Sequence, residues 1–156
     1  MNLTTLDPLA RALLEHVATG DRVLQVGIGA GYLKGVLLRE SRLAYYCGVE
    51  SPFDVTEAFI AEHRPTLALL IDVLDRIEDP QLALHSIAAV AADEALFVLS
   101  VKAPGLRDLR HLCARAGLSI HHQQSVPSVG LLLIASPGRA APRRLLSGLD
   151  GAEQPG

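Results

Sequence analysis

The chain predicts an open, doubly wound α/β domain on a mostly parallel sheet, and three observations carry that reading. An apolar run at residues 22–26 breaks into Gly27, Gly29 and Gly31 and then resumes with helical periodicity, the pattern of a strand, a tight turn and a helix N-terminus. Residues 67–73 and 95–101 are continuously apolar, as expected of parallel strands covered by helices on both faces. Strand-like and helix-like segments alternate along the chain, which favours parallel pairing through helical crossovers.

Each element follows from local pattern. Asp7 and Pro8 before Leu9, Leu13, Leu14 and Val17 predict a capped amphipathic helix ending near Gly20. A strand at 23–26 feeds the glycine turn and a helix over 32–40. A second strand spans 44–50, and a short helix over 54–63 begins after Ser51 and Pro52. After the strand at 67–73, Asp79 and Pro80 open a helix through residue 90. The strand at 95–101 leads through Pro104 and Gly105 to a helix ending at 116. Strands at 118–124 and 131–136, joined through Pro127 to Gly130, read as an antiparallel hairpin. Residues 137–156 are rich in Pro, Gly, Arg and Ala without periodicity, so residues 1–136 read as one domain and 137–156 as a disordered tail.

Composition narrows the function classes. With 156 residues, 49% of them hydrophobic, there is material for one core but not for two ordinary domains. A formal charge of −3 with scattered Lys and Arg offers no basic face for nucleic acid. The first residues lack a signal peptide's basic flank and apolar core, and Asp93 and Glu94 interrupt the longest apolar stretch. A cytoplasmic protein with no membrane partner is expected. Cys47 and Cys113 sit in apolar contexts, as small buried hydrophobes in a reducing compartment do, rather than as a disulfide framework.

The glycine turn carries the chemistry. Glycines let the backbone approach a ligand, and the unpaired N–H groups opening the next helix favour a carboxylate or phosphate. A nucleotide-like cofactor fits, but the G-x-G-x-G spacing differs from the G-x-G-x-x-G of dinucleotide folds. Glu50 and Asp72 fall at the carboxyl ends of predicted strands, where ligands of such sheets bind.

Over residues 7–136 the chain resembles the class I S-adenosylmethionine-dependent methyltransferases. Residues 23–31 resemble that family's first motif, Glu50 stands where its ribose-binding acid ends the second strand, and residues 70–80 resemble the segment after its fourth strand. The closing helix and hairpin match as well. The resemblance implies a Rossmann-like, methyltransferase-type fold with S-adenosylmethionine as cofactor, held by Gly27, Gly29, Gly31, Glu50 and Asp72, with Phe53 against the adenine face. It also implies methyl transfer to a small molecule or carrier-bound intermediate. A carboxylate at residue 50 suits this role physically, since it accepts hydrogen bonds from both ribose hydroxyls.

Three departures matter. Gln25 replaces an acid of the first motif, and Arg76 stands where a His is common. Residues 51–66 leave room for one helix only, so the third strand is expected to be missing. Tyr45–Val49 then becomes an outer strand, expected to dock against a second copy in a homodimer or against a partner protein. These departures support a second reading, a degenerate, non-catalytic methyltransferase-like subunit that binds or stabilises a partner.

Candidates for chemistry are few. Asp72 and Asp75 follow a buried strand and are the candidate bases for an acceptor that must lose a proton. His16, His63 and His85 read as helix or surface residues. His111 and Cys113 point apart on one helix, and His121 and His122 face opposite sides of a strand, so no metal site is expected. Arg139, Arg143 and Arg144 read as part of a solvated linker.

Overall fold

The computed structural model describes residues 8–27, 32–92, 94–101, 106–127, 130–138, 142 and 144, and these form one six-stranded sheet with five helices. The strands are β1 (Arg22–Val26), β2 (Tyr45–Val49), β3 (Leu67–Leu70), β4 (Leu96–Val101), β5 (Ser119–Val126) and β6 (Gly130–Ser136). The helices are α1 (Pro8–Leu14), α2 (Tyr32–Glu40), α3 (Glu57–His63), α4 (Pro80–Val90) and α5 (Leu106–Ala116). Strand order is β2-β1-β3-β4-β6-β5; the first four run parallel, and β6 enters antiparallel between β4 and β5.

This order positions the ligand crevice. The chain leaves β1 toward β2 on one side and reaches β3 on the other, so the order reverses at β1, and ligands of such sheets bind beyond the carboxyl ends of the strands there. Right-handed crossovers moving in opposite directions place their helices on opposite faces. Accordingly α1 and α2 supply Leu9, Leu13, Leu33 and Leu37 to one core layer with Val23 and Leu69. The other layer packs Leu84, Ile87, Leu109 and Cys113 from α4 and α5 against Leu24, Leu70, Phe97 and Leu99. The strands β3 and β4 are buried throughout, which explains why their sequences show no alternation.

Several element boundaries differ from expectation, by one or two residues in β2 and β5 and more clearly in three places. The first helix closes at Leu14 rather than near Gly20, because the His16 amide donates to the Leu13 carbonyl and tightens the last turn. The helix expected over 54–63 is split: Ser51 caps a 3-10 turn at Pro52–Asp54, and Thr56 then accepts from the Phe59 amide to cap α3. The strand β3 ends at Leu70 rather than at residue 73, because Asp72 takes a left-handed conformation, φ 55°, and its amide donates to Ser100 Oγ at 2.7 Å.

The strand β2 pairs with β1 alone, and residues 51–66 add no strand beyond it. The sheet therefore lacks the third strand, as the short connection predicts. Asp7, Pro104 and Gly105, named above as element boundaries, lie outside the described residues. So does most of 137–156, but Arg144 is described. Its guanidinium donates to both carboxylate oxygens of buried Asp21, at 2.7 and 2.9 Å, and to the His16 carbonyl at 2.8 Å. That bidentate contact ties residue 144 to the loop entering β1.

Candidate functional site

The carboxyl ends of β1 and β2 enclose a cavity of about 290 Å³ lined by Gln25, Gly27, Lys34, Tyr46, Gly48, Val49 and Glu50. Small-molecule pockets occupy roughly 300–1,000 Å³, so the hollow stands at the lower end of that range. Its floor is the parallel β1–β2 pair, with Gln25 opposite Gly48 and Val26 opposite Val49. Gly27 continues this ladder, its amide donating to the Val49 carbonyl at 2.7 Å. Only glycine fits there without strain: φ is +87°, and a Cβ would lie 2.6 Å from Val73 Cγ2. This contact brings the end of β1 against the loop that follows β3.

Gln25 is 4% exposed, and its Oε1 accepts a hydrogen bond from the Tyr46 hydroxyl. Burial, aided by the neighbouring Cys47 charge, pushes the Tyr46 hydroxyl up to about 12, so it remains a donor at any ordinary pH. Lys34, on the first turn of α2, places Nζ 5.7 Å from the Tyr46 ring centroid. Glu50 is exposed just past the end of β2. Lys34 and Glu50 are the cationic and anionic side chains of the lining.

The other expected residues fall into three groups. Gly29 and Gly31 lie outside the described residues, as does the Asp75 side chain. Asp72 stands past the carboxyl end of β3, on the loop whose Val73 meets Gly27, and its Oδ2 accepts from Arg76 Nη2 at 3.1 Å. A non-glycine residue held at positive φ beside a switch point is the kind of strain that functional loops store. Phe53 is not core: it is 47% exposed, three residues beyond Glu50.

The histidines do not converge on this hollow. His63 accepts or donates at Nδ1 with Tyr45 Oη, 2.7 Å away, and Arg22 lies over the Tyr45 ring, all at the amino ends of β1 and β2. Among the described residues no group of three His, Cys, Asp or Glu side chains could hold a metal ion. No helix among them is long and apolar enough to cross a membrane. Burial pushes the Cys113 thiol up to about 12, in keeping with an inert core residue.

Residue-by-residue reasoning on the sequence missed Tyr46 and Lys34. Tyr46 carried a usable signal, because it precedes Gly48 by two residues and so shares a strand face with the residues opposite β1's Val23 and Gln25. Lys34 carried none, since only the packing of α2 over β2 brings its ammonium to Tyr46.

No family model matches the chain, and no curated protein matches its sequence. Solved structures do match its fold. The methyltransferase of calicheamicin biosynthesis CalO1, in its SAH-bound form, superposes with a TM-score of 0.66 at 16% identity, covering 84% of this chain and 52% of that one. This chain thus spans about half the length of CalO1. The complex between the Haloferax volcanii Trm112 methyltransferase activator and the putative methyltransferase contains a match with a TM-score of 0.64 at 15% identity, covering 86% and 89%. An S-adenosylmethionine-dependent methyltransferase from Mesorhizobium loti gives 0.60 at 14% identity, covering 86% and 100%. With its six-stranded order and antiparallel closing pair, the chain has the fold of the class I S-adenosylmethionine-dependent methyltransferases.

Proposed function

We propose that the protein is an S-adenosylmethionine-dependent methyltransferase acting on a small molecule or carrier-bound intermediate. The observation that carries this reading is the hollow at the carboxyl ends of β1 and β2, with Gly27 in its wall and the Glu50 carboxylate at its mouth. Structural neighbours of this fold include methyltransferases, among them one with SAH bound. In the proposed site Glu50 would accept hydrogen bonds from the ribose hydroxyls, Gly27 would leave room for the rest of the cofactor, and Phe53 would meet the adenine; Gly29 and Gly31, outside the described residues, are proposed from the sequence alone. The bound cofactor supplies a methyl group on a sulfonium.

Methyl transfer of this kind is an in-line displacement, so the chain's contribution is chiefly alignment and the exclusion of water. Where the acceptor must lose a proton, Asp72 is the carboxylate beside the switch point and Asp75 the next along the chain. Calorimetric titration with S-adenosylmethionine and S-adenosylhomocysteine tests the reading; binding by the wild type that Glu50→Ala weakens supports it. No heat at millimolar ligand from folded protein would remove it.

In that event the non-catalytic subunit becomes the better account, and one observation already favours it: the floor residue Gln25 has its oxygen committed to Tyr46 rather than offering a carboxylate to a ligand. Under either reading we propose that the edge strand Tyr45–Val49 adds to a second copy or a partner protein in a cytoplasmic assembly. Val49 O and Tyr45 N point toward β1 and the loop preceding it, so the amides and carbonyls of Tyr46 and Gly48 point outward and are available for pairing. The complexed neighbour from Haloferax volcanii lends support from the same fold. Light scattering that finds only monomer, pure and mixed with products of neighbouring genes, would rule the docking out.

A further inference from the structure

The lining of the hollow carries the cationic side chain of Lys34 as well as the anionic side chain of Glu50. Its floor residue, Gln25, is neutral, buried, and engaged through Oε1 by the Tyr46 hydroxyl. Lys34 is exposed to the hollow, stands over the Tyr46 ring at 5.7 Å, and makes no ion pair with a described carboxylate. A contact with the ring face positions the ammonium without neutralising it. A ligand whose tail lies along this wall therefore meets a positive charge backed by a neutral amide.

We propose that Lys34 recognises the carboxylate of the ligand's amino-acid tail, and that the hollow takes an adenosyl thioether or sulfonium with an anionic tail whether or not that tail bears an ammonium group. This rests on the adenosyl reading given above and names the feature of the ligand that Lys34 selects. Three ligands separate the two claims: S-adenosylhomocysteine, its analogue lacking the amino group, and its analogue lacking the carboxylate.

The amino-lacking analogue is expected to bind within threefold of S-adenosylhomocysteine, and the carboxylate-lacking analogue at least tenfold more weakly. Lys34→Ala removes the tenfold difference, whereas Lys34→Arg retains it; both variants should unfold at the wild-type temperature, because the side chain is exposed. Equal binding of the carboxylate-lacking analogue, a tenfold loss on removing the amino group, or an unchanged preference in Lys34→Ala each overturns the proposal while Glu50-dependent binding of S-adenosylhomocysteine leaves the adenosyl reading standing. Failure of all three ligands to bind folded wild type overturns both.

Discussion

Val73 packs so closely on the Cα of Gly27 that a Cβ built there would lie 2.6 Å from its Cγ2. The contact joins the turn after β1 to the loop after β3, on either side of the point where strand order reverses. The absence of a side chain at residue 27 is what lets these two segments meet.

Gly27→Ala should destabilise the protein twice over, through the +87° φ and through overlap with Val73. The first costs more than about 1 kcal/mol and the second about 1–3 kcal/mol, which corresponds to roughly 5 °C or more in Tm for a domain of this size. Adding Val73→Ala removes the overlap but not the strain. The double variant should therefore be more stable than the sum of the two single losses by about 1 kcal/mol, and strict additivity would show that the overlap is relieved some other way.

Glu50→Gln should separate binding from folding. The residue is exposed, so thermal unfolding should move by no more than about 0.5 kcal/mol. A neutral amide makes weaker hydrogen bonds to ribose hydroxyls than a carboxylate, and affinity for S-adenosylmethionine and S-adenosylhomocysteine should fall about tenfold. Retained affinity in calorimetry would withdraw the ribose assignment.

Tyr46→Phe deletes the hydroxyl that donates to buried Gln25 Oε1. Losing one partner of a buried hydrogen bond costs about 1–3 kcal/mol, readable as a lower urea midpoint. Replacing the pair together, Tyr46→Phe with Gln25→Leu, should restore part of the loss, since neither member of this hydrogen bond is then left without the other. A double variant weaker than either single one would mean that Gln25 is held chiefly by other contacts.

Asp21 and Arg144 form a bidentate pair with side chains 6% and 20% exposed. Arg144→Ala strands a buried carboxylate that, among the described residues, keeps the Ala18 amide and Thr66 hydroxyl, and should cost about 3 kcal/mol in chemical unfolding. Truncation after residue 142 should produce the same loss. An unchanged midpoint in both would show that residues beyond the sheet contribute nothing to stability.

Burial holds the pKa of His16 below its ordinary 6.5, despite the 3.2 Å hydrogen bond to Gln124, and burial lowers that of His121 as well. With a depressed folded-state pKa, the unfolded chain binds more protons just below 6.5, so this contribution is present above that pH and is lost as pH falls through the folded-state value. Tm should therefore decline on acidification below about 6.5. His16→Gln should flatten the decline, and an identical pH profile in that variant would assign it to other groups.

Much of the fold was legible because it rests on near-neighbour spacing. The continuous apolar runs of β3 and β4, the Asp79 cap with Pro80 opening α4, and a connection too short for the strand missing between β2 and β3 are all local quantities, and each is found in place. One boundary was misjudged because a distant group intervenes, Ser100 drawing the Asp72 amide away from β3, and two because local caps and a tight turn outweighed the periodicity. At the hollow, Gly27 and Glu50 could be singled out from the residues alone, and both lie in its lining. Tyr46 against Gln25, Lys34 above Tyr46, and Arg144 against Asp21 across 123 residues were decided only by tertiary structure. Those contacts depend on strand register and helix placement, which arise when the two core layers close on the sheet and which no short stretch of sequence encodes.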